Sequence, residues 1–452
     1  MDRELDRVLW RVVQTEPFQR LRRVKQLGFS ENVYPGATHS RFAHSLGVLH
    51  TARRLMEVLE RYASPLSETK VHQALAAALV HDLGHGAFSH AFETVGKKLN
   101  LQMARHELVS DAVIRDSEVT QELNELGSGF ANDVADIIRG YGKNTIYRAV
   151  VSSQFDADRL DYMQRDRLMA GTQHAGIDLE WLIANLEIGR VPIGVDESQL
   201  GSVETFVLGP KAIYAAEAFV LGLFQLYPTV YLHKTTRGAE KIFVELLART
   251  IGLVQDGGWS KTGLPENHPL VKFALIPHDL SLALQLDDAV VAGAFPLMQE
   301  ASDPLVASLS KRLRLRLFMK AIEVREPIRL AVDPHDTGAP DLVQKIDSAV
   351  EKVNLALTAW SQKADEVPRI LVDKAERSPY KEVKEFSDGK GPLDRINIRA
   401  PDGRLVDLKS VSKVVAALQT FKLARAYTDD SDAEAKAVIQ SEIRSAIQGA
   451  LK

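Results

Sequence analysis

The sequence contains no cysteine. That absence excludes a disulfide framework, a thiol nucleophile and thiolate metal ligation, so any bound metal has to be held by imidazole and carboxylate. A charge imbalance is also missing: 56 Lys and Arg against 60 Asp and Glu leave a formal net charge of −4. No bulk positive field therefore draws the chain to nucleic acid or acidic lipid, and any anion binding must be local. No uncharged run reaches the roughly 18 residues of a membrane span. The first ten positions carry Asp2, Arg3, Glu4, Asp6 and Arg7, which is no apolar secretory segment. No membrane association and a cytoplasmic location are the expectations. Internal repeats and low-complexity tracts are absent too. What is there is an ordinary globular composition over 452 residues, 45% hydrophobic and 26% charged, enough for two or three domains.

Apolar residues recur at spacings of three and four through the first 255 positions, which predicts helices over 2–13, 17–27, 40–62, 67–83, 103–115, 130–140, 145–170 and 209–255. Ser40 is the N-cap of the clearest of these. The β-branched pieces 187–195 and 203–208 predict a short hairpin. Gly- and Pro-rich loops at 256–270 and 333–340 mark boundaries, giving 1–260, a helical extension 261–332, and a C-terminal region 333–452. In that last region 341–365, 410–428 and 432–449 read as helices, with strands at 369–372, 395–399 and 405–408, and the final 25 residues read as charge-rich enough to fray. The expected fold class is mainly α, with a small β-hairpin and an α+β C-terminal region.

Thirteen histidines are present, and eight of them (His39, His44, His50, His72, His81, His85, His90 and His106) fall within 39–106. His81 and Asp82 follow the apolar run Leu75–Val80, where an uncompensated carboxylate is costly to bury. A cation between the two side chains removes that cost, and His44 and Asp158 are the candidates to complete its ligands. Such a set suits Fe, Mn, Mg, Zn or Ni and, with open positions, can activate water. One His-Asp pair occurs by chance in any long chain. The ordered series His44, His81-Asp82, Gly84-His85-Gly86, His90, His106-Glu107 and Asp158 does not arise so easily. Asp158, Tyr162 and Asp166 are four residues apart and share a helical face. From Pro17 to Ser30 there are four basic residues, Arg20, Arg22, Arg23 and Lys25, and no acid, which predicts a basic wall for a polyanion.

The blocks Phe18–Gly28, Tyr34–Val48, His81–His90, His106-Glu107 and Ser152–Asp166 resemble the HD-domain superfamily of metal-dependent phosphohydrolases, and within it the deoxynucleoside triphosphate triphosphohydrolases. The resemblance covers about residues 8–250. It implies an HD-domain helical core that hydrolyses deoxynucleoside triphosphates to deoxynucleoside and tripolyphosphate, with a divalent metal, manganese among those expected, on His44, His81, Asp82 and Asp158. It also implies that His85 and His90 lie near the α-phosphate, with His90 the general acid, and that His106 and Glu107 form a His-Glu pair in the same pocket. Arg41 and Arg159 would contact phosphate, Tyr162 would pack against the sugar where a 2′-hydroxyl would sit, Asp166 would line the pocket, and Gln26 with Leu27 would hold the sugar's 3′ side. A homo-oligomer (dimer, tetramer or hexamer) and an activator nucleotide or single-stranded DNA are further implied partners, and Arg316–Lys320 loosely resembles a basic segment of an inter-subunit nucleotide site.

Some positions depart from the family pattern. Glu93 stands where animal members have Asp, Ala43 where many have Glu, Arg237 where a Tyr stacks on the base, and Gln14 where an Asp helps bind a guanine activator, so guanine activation is not implied. The chain also starts almost at the core, without the SAM domain of the animal enzyme. The competing readings are an HD phosphohydrolase or nuclease acting on another phosphoester such as single-stranded nucleic acid, and a catalytically weak nucleotide or nucleic-acid binder that acts through its tail.

Overall fold

A computed structural model describes residues 3–62, 65–141, 146–195, 198–364, 367–378, 380 and 395–452. The chain packs as two units, each assembled from three segments: Met1–Leu226 with Pro277–Ala289 and Ser378–Gln419, and Tyr227–Ile276 with Val290–Arg377 and Thr420–Lys452. Helix dominates both, with small sheets beside it, as the composition of the segments predicts.

The first unit is built around the helix Arg41–Tyr62. Its buried positions Arg41, His44, Ser45, Val48, Ala52, Leu55 and Leu59 follow the helical period, so His44 lies on the stripe that faces the core. Against it pack the helices Glu68–Val80 and Ala157–Ala170. The former is buried from Ala74 to Val80, and its run of alanines lets neighbouring backbones come close. Strand β1 (Leu186–Val195) pairs antiparallel with β2 (Ser198–Leu208), matching the expected hairpin. The sheet extends through β5 (Asn397–Arg399) and β6 (Leu405–Asp407) in the order β1-β2-β5-β6.

Three predicted helices are shorter or broken. The stretch 17–27 is helical only from Glu16 to Arg23. Val24 then turns extended, and the following residues pair with the segment before the central helix: Gln26 N donates to His39 O (3.0 Å), Arg41 N to Val24 O (2.9 Å), and Lys25 bridges Ser40. The stretch 145–170, whose first position lies outside the described residues, divides into Ile146–Ala149 and Ala157–Ala170. Asp156 stops one helix from running into the other by capping the second, its Oδ1 accepting the Arg159 N–H at 2.8 Å. The stretch 209–255 is Ile213–Leu226 and Lys234–Gln255, separated by a π turn at Tyr227–Tyr231, where Pro228 supplies no N–H. Pro210–Tyr231 is long and apolar enough to cross a membrane by length and composition alone. Its Ile213–Leu226 part buries Ala216, Phe219, Val220, Leu223 and Leu226 in the first unit.

In the second unit, β7 (Phe421–Thr428) is the centre of a three-stranded sheet, flanked by β3 (Lys320–Glu323) and β4 (Leu371–Arg377). This overturns the helix expected over 410–428, of which only Leu408–Val411 and Lys413–Ala417 are helical. Both faces of β7 are covered: Ala424 and Ala426 join the core formed by Arg325–Val332, Pro340–Ala364 and Ala433–Leu451, while Tyr427 lies over Gly238. The period-2 alternation that would announce a strand is consequently absent. The last helix does not fray, since Ala435, Ile439 and Ile443 are core residues.

Candidate metal centre

Two histidines, two aspartates and an arginine converge where the central helix, the end of Glu68–Val80 and the start of Ala157–Ala170 meet. His44 Nε2 is 3.0 Å from Asp158 Oδ1 and 3.7 Å from Asp82 Oδ2. His81 Nε2 is 3.4 Å from Asp82 Oδ1 and 3.8 Å from Asp158 Oδ1. His44 and His81 cross edge to face, with centroids 5.4 Å apart.

The far nitrogen of each ring fixes its tautomer. His44 Nδ1–H donates to Asp161 Oδ2 at 2.8 Å, and His81 Nδ1–H donates to Ala78 O at 2.9 Å. Each ring therefore turns a bare Nε2 lone pair toward the aspartates, and both Nε2 atoms are buried without a hydrogen-bond partner. Orphaned buried nitrogens facing carboxylates are what a divalent cation satisfies. His44, His81 and Asp158 meet the mutual spacing of a metal-binding group, and the donor set fits a hard or borderline divalent ion. The protonation behaviour points the same way. Burial opposes the imidazolium of His44, but the adjacent carboxylates of Asp158 and Asp161 and the charge of Asp82 outweigh it and raise its pKa to about 10. Burial likewise opposes the carboxylate of Asp82, yet the Arg41 guanidinium and the charges of His81 and His85 hold it well below the usual range. Without a metal, the site draws in a proton.

Asp161 was not among the residues expected at the site. It sits three residues after Asp158, takes a bidentate pair from Arg165 at 2.8 Å on each oxygen, and lies against Gly47, where a Cβ would collide with both side chains. The spacing Asp158-Asp161 was the signal that could have revealed it.

A second cluster adjoins the first. His85 Nε2 is 3.3 Å from Asp82 Oδ1, and its ring stacks on His106 with centroids 4.1 Å apart. Gly84 makes this possible: a Cβ there would strike His106 O and Ser110, so the His81–Gly86 loop presses its backbone onto the helix His106–Arg115. Ser110 Oγ accepts Gly84 N–H at 2.9 Å and donates to His81 O at 3.0 Å. The carboxylate serving His106 is not Glu107. Glu107 points outward, 71% exposed and 4.0 Å from Arg139, because neighbouring residues on a helix diverge. Glu93 takes that place, with Oε2 3.2 Å from His90 Nδ1 and 3.4 Å from His106 Nδ1. Burial works against the Glu93 carboxylate, but the hydrogen bonds from His106 and His90 draw its pKa down.

The other expected residues divide. Arg41 is buried, donating to Asp82 Oδ2 at 2.5 Å and to Ser89 Oγ at 3.0 Å, so its charge is held rigidly at the metal cluster. Gln26 and Leu27 lie half-buried on the segment paired with His39–Arg41, and Gln26 Oε1 has no protein partner. Tyr162 is half-buried one turn beyond Asp158. Arg159 binds Gln154 Oε1 at 2.8 Å. Asp166 is only 2% exposed, its Oδ1 bound by His39 Nε2 at 2.8 Å. The basic wall is not assembled as expected. Arg20 is buried and donates to the carbonyls of Leu286 and Leu83, Arg23 pairs with Asp287 at 2.5 Å, and Lys25 with Glu31 at 2.5 Å. The acids that neutralise the run come from elsewhere in the chain. Arg22 remains exposed, its guanidinium 3.6 Å from the centroid of Phe42. Arg237 is held bidentately by Asp373, at 2.5 and 3.0 Å.

The HD domain family matches residues 41–166, which span every candidate metal ligand. The uncharacterized protein YwfO of Bacillus subtilis is 32% identical over 320 residues, 70% of this chain and 69% of that protein. The deoxynucleoside triphosphate triphosphohydrolase SAMHD1 homolog of Dictyostelium discoideum is 35% identical over 237 residues, 50% of this chain and 43% of that protein, so the chain matches less than half of that relative's length. Among solved structures, a phosphohydrolase from Bacteroides thetaiotaomicron superposes with a TM-score of 0.68 at 25% identity, covering 93% of this chain and 95% of that one. A hypothetical protein from Aquifex aeolicus, at 22% identity and a TM-score of 0.66, shares the fold.

Proposed function

This chain belongs to the HD-domain superfamily of phosphohydrolases, and on that premise we propose that it hydrolyses deoxynucleoside triphosphates to deoxynucleoside and tripolyphosphate. One observation carries the choice of substrate. The helix that brings Asp158 to the metal cluster presents the half-buried ring of Tyr162 one turn further on, so a phosphate at the cluster would have an aromatic surface alongside for its sugar. The match to the Dictyostelium triphosphohydrolase runs with that reading.

His44, His81, Asp82 and Asp158 would hold a divalent cation, which when bound lowers the pKa of water and polarises a phosphoryl oxygen. Arg41, locked between Asp82 and Ser89, supplies fixed positive charge for the phosphate without reorganising. His90 is 69% exposed and is held through Nδ1 by Glu93; as the imidazolium it would carry on Nε2 the proton that goes to the departing oxygen. On this reading Tyr162 packs against the sugar where a 2′-hydroxyl would sit, and Gln26, whose Oε1 has no protein partner, accepts a sugar hydroxyl. The same reading carries a homo-oligomeric assembly, which light scattering of the purified protein would test.

The deciding experiment incubates the purified protein with each of the four deoxynucleoside and four ribonucleoside triphosphates, singly and mixed, with Mn²⁺ or Mg²⁺, and resolves products by anion exchange. Deoxynucleoside plus tripolyphosphate supports the proposal. Intact nucleotides in every mixture refute it, and single-stranded DNA and RNA become the substrates to assay.

A further inference from the structure

The turn that carries His90 is strained. Phe88 and Ser89 both have φ of 56°, a positive-φ backbone that residues with a side chain rarely adopt. Two such residues in succession persist only if their surroundings over-determine them. Ser89 Oγ donates to Lys25 O at 2.7 Å and accepts from Arg41, and Phe88 stacks on Phe29 with centroids 4.2 Å apart. The remaining hold comes from a distant part of the chain. Asp288, 6% exposed, accepts Phe88 N–H on Oδ1 at 2.6 Å and Lys25 N–H on Oδ2 at 3.0 Å. It belongs to the short segment Pro277–Ala289, which packs with the first unit.

From this geometry we infer that Asp288 is a positioning residue of the site: its carboxylate ties the strained Phe88-Ser89 turn to the backbone that leads into Gln26 and Leu27. The inference rests on the phosphohydrolase reading for its effect on turnover, while its structural content is independent of substrate. His90 begins a helix directly after the turn, and Arg41 and Asp82 join the same chain of hydrogen bonds through Ser89. Releasing one end of the tie therefore moves the proton-carrying ring relative to the metal ligands without touching any of them. A carboxylate suits the role because it accepts two N–H groups at once; an amide offers one acceptor and sets its NH₂ against the other donor.

The test compares wild type with Asp288→Asn, Asp288→Glu and Asp287→Asn in the full chain, the last as a neighbouring control that removes the charge paired with Arg23. Three quantities are read: amide hydrogen exchange over residues 84–92, metal bound per chain, and kcat and KM. For Asp288→Asn we expect exchange over 84–92 to accelerate at least about tenfold, metal content to stay at the wild-type value, and kcat to fall about 10- to 100-fold with KM changed far less. Asp288→Glu keeps the charge and both acceptors, so it covers the case in which the amide variant does not fold; its longer reach should lower kcat and leave KM in place. Asp287→Asn should match wild type within about twofold in kcat. Unchanged exchange over 84–92, or wild-type kcat in a folded Asp288 variant, overturns the inference. If wild type cleaves no phosphoester, the functional reading fails, and the exchange data alone decide whether Asp288 holds the turn.

Discussion

The Nδ1–H of His44 donates to Asp161 at 2.8 Å, so one carboxylate decides which nitrogen of that ring is left for a metal. Asp161→Asn keeps the shape but can present its NH₂ to Nδ1 and favour the wrong tautomer. We expect divalent-metal affinity to drop about 10- to 100-fold, measured by competition with a chromogenic chelator. Wild-type affinity would remove Asp161 from the account of the site.

Asp158→Ala should abolish both metal binding and turnover. Asp158 is 37% exposed, so the fold should survive its loss. Elemental analysis with a thermal melt checks this, and stoichiometric metal in the purified variant would disprove the ligand assignment.

Gly47→Ala places a methyl group against Asp161 and Arg165. Overpacking of this kind costs about 1–3 kcal/mol. Here the side chain that must give way is the one orienting His44, so urea unfolding and chelator competition should shift together. A variant with wild-type stability and wild-type metal affinity contradicts the packing at this position.

Stability in the acid range should depend on Asp432. Arg369 donates to both its oxygens, at 2.7 and 2.8 Å, and it caps the helix Ala433–Leu451 through Ala435 N–H at 2.9 Å. The Arg369 bonds first, and then the cap, lower its pKa from 3.8 to about 2. A folded value below the unfolded one stabilises above about pH 4 and is lost as the pH falls through 2. Asp432→Ala should cost about 1 kcal/mol at pH 7, and the variant should approach wild type as the pH falls from about 4 to 2. A difference that persists undiminished to pH 2 would assign the loss to packing instead.

Legibility in the sequence followed the range of the interaction. His44 was readable because it interrupts an apolar stripe at helical spacing, and His81-Asp82 because a charge ends a buried run. Glu93 was not readable as the partner of His106, since adjacency favoured Glu107 and only the docking of His90–Leu99 reverses that choice. Arg20 and Arg23 looked like a free basic wall because Leu286 and Asp287, which engage them, lie more than 260 residues away. Asp288 was hidden for the same reason. β7 was read as helix because its Ala, Leu, Lys and Arg favour helices locally, and a strand buried on both faces carries no alternation to contradict them.

The place of β7 also sets an order of assembly. Its neighbours β3 and β4 have no hydrogen-bonded partner strand other than β7 among the described residues, and both are translated before it. While the chain is being made, each must therefore wait as an unpaired edge until residues 421–428 emerge, and the three-stranded sheet closes in a single late step through contacts of long sequence separation. That is slow chemistry for a folding chain, and it makes the interval before β7 arrives the one in which nascent molecules are most exposed to pairing with each other.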